Sequence, residues 1–176
     1  MYNYFIKISI GINISINMNR HSIITLIVAA IIVENIVLYL LYFNKNSGKT
    51  IRQWYNKFTI GAYVMDIASL IIGTYLATLL SVHFYMQLFY VVIIGLIHDI
   101  SFFTFFNNVN TKSSKILEFY KNYAKEYGKQ ILVVDALMLV STLLVSNYLL
   151  NHFSNANIIF LGVLSSYIGL LIVYSF

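Results

Sequence analysis

Long apolar blocks alternate with short polar stretches along most of this chain. The blocks cover about residues 22–43, 58–80, 88–106, 131–150 and 157–176. Each is close to the roughly 20 apolar residues that a helix needs to cross a bilayer. Because the second and third blocks together are too long for one crossing, the chain must turn back at about residues 81–87. The pattern predicts an all-α polytopic bundle of five membrane-spanning helices, or four if the first helix packs at the periphery.

The two longest polar connections differ in character. Residues 44–57 read as a polar loop, with Trp54 and Tyr55 where interfacial aromatic residues belong. Residues 107–130 carry apolar side chains at helical spacing, which predicts an amphipathic surface helix that ends near Gly128. The alternative is a solvated connector with aromatic anchors. The side chains that make this pattern are Ile116, Phe119, Tyr120, Tyr123 and Tyr127.

The N-terminal residues 1–21 do not belong to this pattern. They are too polar and too short to span a membrane. We expect either a disordered tail or a mis-assigned start, with translation beginning at Met18 instead of Met1. Residues 22–176 are expected to form one helical-bundle domain.

Composition supports a membrane protein. The chain is 60% hydrophobic and 10% charged, against about 25% charged residues in soluble domains. It has no cysteine, which excludes disulfides, thiolate metal sites and cysteine nucleophiles. We find no phosphate-binding loop, dinucleotide fingerprint or potassium-filter sequence. We therefore expect no cofactor and assign no catalytic residue.

Positive charge is concentrated in the first and third connections, which hold nine of the eleven Lys and Arg residues. The positive-inside rule places residues 44–57 and 107–130 in the cytoplasm and the N-terminus outside. This distribution explains the net charge of +5 without a nucleic-acid partner. Near a surface, each lysine contributes roughly 1 kcal/mol of attraction to anionic lipid headgroups. The headgroup candidates are Lys112, Lys115, Lys121, Lys125 and Lys129.

Four of the six acidic residues lie inside the apolar blocks. At ~1.5 Å per residue, Glu34, Asp66, Asp99 and Asp135 lie about 14, 12, 10 and 6 Å from the basic ends of their blocks. All four therefore belong to the cytoplasmic half of the membrane, and buried acids in membranes often mark function. Small residues share the face of Asp66, which predicts that it points into the bundle. That stripe is Ala62, Asp66, Ser69, Gly73 and Ala77.

Three interpretations of these acids remain open. Glu34, Asp66, Asp99 and Asp135, with His98, could bind or conduct protons or cations, as acid and histidine chains do in membrane pumps. They could hold a divalent metal for catalysis, but no HExxH motif or repeated histidine spacing is present. They could also be structural, protonated or hydrogen-bonded to neighbouring helices, because no intramembrane Lys or Arg can pair with them.

Three short pieces of sequence resemble a family of small multi-span membrane proteins encoded by large nucleocytoplasmic DNA viruses. They are residues 97–103 (IHDISFF), 123–128 (YAKEYG) and 134–138 (VDALM), within a resemblance over about residues 55–150. The resemblance implies a viral origin and residence in a virion membrane or a host internal membrane. The family has no characterised activity and so contributes no site residues.

Proton or cation binding or permeation is the preferred functional hypothesis. A membrane or virion-membrane scaffold without transport or catalysis is the alternative, and a membrane-embedded enzyme is third. The lipid bilayer is the expected partner, and whether the chain forms a homo-oligomer stays open.

Overall fold

The fold is described by a computed structural model that covers residues 20–44, 48–108, 114–128 and 130–176. In these residues the chain forms seven α-helices and no strand. The predicted tail and the choice between Met1 and Met18 lie outside the described residues. The helices are α1 (Arg20–Phe43), α2 (Lys49–Phe58), α3 (Ile60–Leu80), α4 (Phe84–Asn108), α5 (Lys115–Tyr127), α6 (Gln130–His152) and α7 (Asn155–Val173).

Five of these helices are long and apolar enough to cross a membrane, which confirms the all-α, multi-span prediction. They are α1, α3, α4, α6 and α7. The turn between α3 and α4 is shorter than predicted, because α4 already begins at Phe84. The protein is therefore a multi-pass integral membrane protein.

The prediction of a polar loop over residues 44–57 is wrong, because most of that stretch forms α2. Ile51, Trp54, Tyr55 and Phe58 recur at the spacing of one helix face, and Trp54 and Tyr55 are buried. A single residue, Thr59, separates α2 from α3. Its φ of +43° is unusual for a β-branched residue.

Two charged side chains attach the N-terminal part of α2 to its neighbours. The Arg52 guanidinium donates to the carbonyl oxygens of Leu41, at 2.6 Å, and Asn44, at 2.8 Å, where α1 ends. A cation is favourable at the negative end of a helix. The Glu126 carboxylate of α5 accepts from the first two backbone N–H groups of α2, at 2.8 and 2.9 Å, and from the Thr50 hydroxyl.

Close helix packing depends on glycine at three crossings. A Cβ on Gly162 would stand 2.7 Å from Val28, where α7 meets α1. Cβ atoms on Gly73 of α3 and Gly95 of α4 would both press on Leu139 of α6, at 2.7 and 2.8 Å. Small residues allow such close approach, and the van der Waals contacts that result are a main contribution to helix association in lipid.

The predicted amphipathic helix exists as α5, and it ends at Gly128 as predicted, with a φ of +51°. Much of its apolar face packs against protein. Phe119 and Ala124 are buried, and the helix contacts α2, α4 and α6. Phe176, at the end of the chain, packs its ring 5.3 Å from that of Tyr55. The basic helices α2 and α5 and residue 176 therefore share one end of the bundle, here called the basic end.

Candidate functional site

Tyr55 of α2 joins two acidic side chains from different membrane helices. Its hydroxyl lies 2.6 Å from Glu34 Oε1 on α1 and 2.5 Å from Asp66 Oδ2 on α3. The two carboxyl oxygens are therefore no farther apart than the sum of these two bonds. Glu34 and Tyr55 are only 1% and 2% exposed, and Asp66 is partly exposed. The two acids together with Tyr55 are here called the bridged pair.

The number of protons in the bridged pair follows from its donors. A phenol has one hydrogen to donate, and two contacts this short are poorly explained by one shared hydrogen. If both are hydrogen bonds, one carboxyl group supplies the second proton. The Trp54 indole Nε1, which can only donate, also bonds Asp66 Oδ2 at 3.1 Å. Asp66 is thus the acceptor at its end of the bridge, which leaves Glu34 as the donor.

A second group of acids lies on α4 and α6. His98 Nδ1 is 3.0 Å from Asp99 Oδ1, and Asp99 is 7% exposed. Asp135 on α6 interacts electrostatically with Asp99, Asp66 and His98, and Glu34 interacts with both Asp66 and Asp135. Asp135 is therefore the member of the second group that interacts electrostatically with the bridged pair.

Two buried carboxyl oxygens lack partners. Neither Glu34 Oε2 nor Asp99 Oδ2 has a hydrogen-bond partner among the residues that the structure describes. Burying an uncompensated carboxylate is costly, and this cost favours the neutral acid or sharing of its charge. The unpartnered oxygen of Glu34 is consistent with the assignment of a proton to this group.

Helices α2 and α5 cover the acids at the basic end. Phe119 of α5 stacks on Trp54 with ring centroids 4.7 Å apart. Burial, followed by the charges of Asp135 and Asp66, raises the pKa of the Tyr123 phenol well above its usual range. Burial and the Asp66 charge raise the pKa of Tyr120 to about 12. Both phenols keep their protons at neutral pH.

The Tyr55 phenol also stays protonated. Burial first, and then the charges of Glu34 and Asp66, raise its pKa well above the ordinary value of 10.0. Tyr55 therefore serves as a neutral hydroxyl that donates one hydrogen bond and accepts another, and it does not add a third negative charge.

A neighbouring polar contact fixes the helix that carries Glu34. The next residue, Asn35, accepts from the Tyr63 hydroxyl at 2.8 Å and donates to the Ser165 carbonyl at 2.6 Å. A Cβ on Gly169 would collide with both Tyr63 and Asn35. This contact holds α1, α3 and α7 in register and sets the rotation of α1 that points Glu34 inward.

The acids predicted from the sequence are thus brought near one another, as a bridged pair and a second group. Asp99 and Glu34 are buried, whereas the His98 side chain is 62% exposed and yet contacts its sequence neighbour Asp99. Ser69 is exposed, so the predicted stripe on α3 is wrong at this position. In the described part of the chain, no group of three or more His, Asp or Glu side chains is arranged to hold a metal ion.

Trp54 and Tyr55 are the site residues that sequence reasoning missed. It treated them as interfacial anchors, and the signal that could have corrected this was the helical spacing of residues 51, 54, 55 and 58. Among the lysines predicted to bind lipid headgroups, Lys121 is partly exposed and Lys125 is exposed. Lys112, Lys129 and the side chain of Lys115 lie outside the described residues.

Comparisons with known proteins gave no match to a protein-family model, a curated protein or a solved structure.

Proposed function

We propose that this membrane protein binds protons at the bridged pair and transfers them between Glu34 and Asp66. One observation carries the proposal: a single buried hydroxyl, that of Tyr55, lies within hydrogen-bond distance of carboxyl groups from two membrane helices. Acids at such positions are used as proton relays in membrane proteins. The other groups around the pair support the same role, because Asp135 interacts electrostatically with Glu34.

The transfer needs no other reactant. In the starting arrangement, Glu34 Oε1–H donates to the Tyr55 oxygen, and Tyr55 O–H donates to the Asp66 carboxylate. When Tyr55 passes its hydrogen to Asp66 and takes the hydrogen of Glu34, one proton has moved from Glu34 to Asp66. The phenol ends as it began, and the negative charge has moved to Glu34. Trp54, which donates to Asp66, stabilises the starting arrangement.

The orientation and surroundings of the protein form part of the proposal. The basic end faces the cytoplasm, in accordance with the positive-inside rule, and Lys121 and Lys125 attract anionic lipid headgroups there. The membrane is a virion membrane or a host internal membrane. The resemblance of residues 97–103, 123–128 and 134–138 to proteins of large DNA viruses supports this location.

A membrane scaffold is the second candidate function. The same hydrogen bonds join α1, α2 and α3, and Glu126 joins α5 to α2. A polar network that holds helices together can be retained for structure alone. Transport and structure make different predictions for a variant that keeps the fold and loses proton exchange.

Proton uptake into proteoliposomes tests the proposal. Vesicles with a trapped pH-sensitive dye are placed under a potassium diffusion potential, and the rate of internal acidification is measured. We expect wild-type protein to take up protons, Asp66→Asn and Asp99→Asn to slow uptake, and Tyr55→Phe to slow it by removing the bridging hydroxyl. Glu118→Gln is the matched control, because Glu118 is an exposed acid on α5.

The outcome separates the two functions. Proton transfer is supported if the three site variants slow proton uptake and Glu118→Gln leaves it unchanged. If wild-type vesicles acidify no faster than empty ones at any pH, while all variants fold as the wild type does, the transfer proposal is wrong and the scaffold is favoured.

A further inference from the structure

His98 differs from the other titratable groups of the site in its exposure. Its side chain is 62% exposed, whereas the adjacent Asp99 is 7% exposed. The imidazole Nδ1 is 3.0 Å from Asp99 Oδ1. If Nδ1 carries the hydrogen of this bond, Nε2 is left as a second site that can take up a proton. The His98 ring thus contacts the buried Asp99 through Nδ1, while most of the side chain is exposed.

Aromatic contacts place His98 close to the basic end. Its ring lies 5.9 Å from that of Phe102, one turn further along α4. The Phe102 ring is 4.9 Å from Tyr120 of α5. One aromatic residue therefore separates His98 from the helix that covers the basic end of the bundle.

The groups that face Asp99 and His98 provide the inward connection. Asp135 on α6 interacts electrostatically with both. The charges of Asp135, Asp66 and Asp99 also act on the Tyr123 phenol of α5. Asp135 in turn interacts with Glu34. Tyr123 stays protonated, so it adds no charge of its own to this route.

We infer that His98 is the port through which the buried acids exchange protons with water at the basic end. Nε2 takes a proton from water, and Nδ1 passes its own proton to the Asp99 carboxylate, which leaves a neutral imidazole. The reverse steps release a proton. The inference rests on the proposed function and adds to it the side of the membrane from which the site is loaded.

Chemical rescue tests the port. We expect His98→Ala to slow proton uptake by about a hundredfold or more, the lower end of what a positioned proton-transferring side chain contributes. Imidazole added to the buffer should restore much of the rate, because it can occupy the space left by the ring. His98→Gln should be equally slow and should not respond to imidazole. His83→Ala and His152→Ala are controls, since both histidines are exposed at the opposite end of the bundle.

Water access can be measured independently of transport. Because the chain has no cysteine, His98→Cys creates a single thiol. We expect a membrane-impermeant maleimide to label it from the basic side. Ile97→Cys is the matched control, because Ile97 is adjacent and 61% exposed but should face lipid and label slowly.

The results separate this inference from the proposed function. A wild-type protein without proton uptake contradicts the proposed function, whatever the labelling shows. Wild-type uptake with unchanged rates in both His98 variants overturns the port. An equal loss in both variants that imidazole does not relieve also overturns it, because His98 would then act only through structure.

Discussion

Replacing Tyr55 with phenylalanine removes one oxygen and keeps the ring. The ring packs against Phe176, with centroids 5.3 Å apart, and this contact should survive. The lost hydroxyl is the only hydrogen-bond partner described for Glu34, whereas Asp66 keeps the bond from Trp54. The variant therefore isolates the hydrogen bonding of the bridged pair from the packing of the residue that bridges it.

The expected loss of stability follows from the group that is left alone. A buried polar group without a partner costs about 1–3 kcal/mol, and Glu34 is 1% exposed. We expect Tyr55→Phe to lower the free energy of unfolding by about 1–3 kcal/mol. Reversible unfolding in mixed detergent micelles provides the measurement. Tyr167→Phe is the control, because Tyr167 is 62% exposed on α7.

A double-mutant cycle with Glu34→Gln shows whether the loss comes from the bridge. If the two residues interact as described, their effects are not additive, and the coupling energy is about 0.5 kcal/mol or more. Two results would refute the hydrogen-bonded bridge. In the first, Tyr55→Phe lowers the free energy of unfolding no more than Tyr167→Phe does. In the second, the effects of Tyr55→Phe and Glu34→Gln on that free energy simply add.

Three further predictions concern helix packing, pH and the phenols. Gly169→Ala should destabilise the protein through its collision with Tyr63, whereas Gly61→Ala, which meets nothing within 4 Å, should not; thermal unfolding of the two variants compares them directly. The Thr50 hydroxyl and backbone bonds lower the pKa of Glu126 below its ordinary 4.5, so its contribution is present above pH 4.5 and is lost as pH falls through the lowered value. The protection of amide hydrogens at the start of α2, measured against the intrinsic exchange rate at each pH, should therefore fall only at acid pH. The difference between the ultraviolet titrations of wild type and Tyr120→Phe should show Tyr120 ionising at about pH 12, and an ordinary pKa for this phenol would contradict its partial burial and its interaction with Asp66.

The membrane helices were predictable because bilayer thickness imposes a length on every apolar block. The order and approximate limits of the five spans follow from this requirement alone. Helix α2 was missed because its four apolar residues, 51, 54, 55 and 58, are interleaved with polar and basic ones. Average polarity then suggests a loop, and only the periodicity of the apolar positions reveals the buried face.

The sequence predicts that the acids lie near one another, and it does not predict how they are connected. Helical rise predicts a shared depth for four acids, but which of them meet depends on the rotation of each helix. The contact of Asn35 with Tyr63 and Ser165 sets that rotation for α1. Such a contact joins residues 130 positions apart, so a local pattern gives no sign of it. For the same reason, the bridge made by Tyr55 could not be read from the spacing of the acids.

Infrared spectroscopy of the reconstituted protein at neutral pH tests the sharing of one proton in the bridged pair most directly. A protonated carboxylic acid has a C=O stretching band that a carboxylate lacks. We expect the wild-type spectrum to contain such a band, Glu34→Gln to remove it and Glu118→Gln to leave it in place. An identical band in wild type and Glu34→Gln, or none in either, would show that Glu34 is ionised and that Tyr55 does not join the two acids through a shared proton.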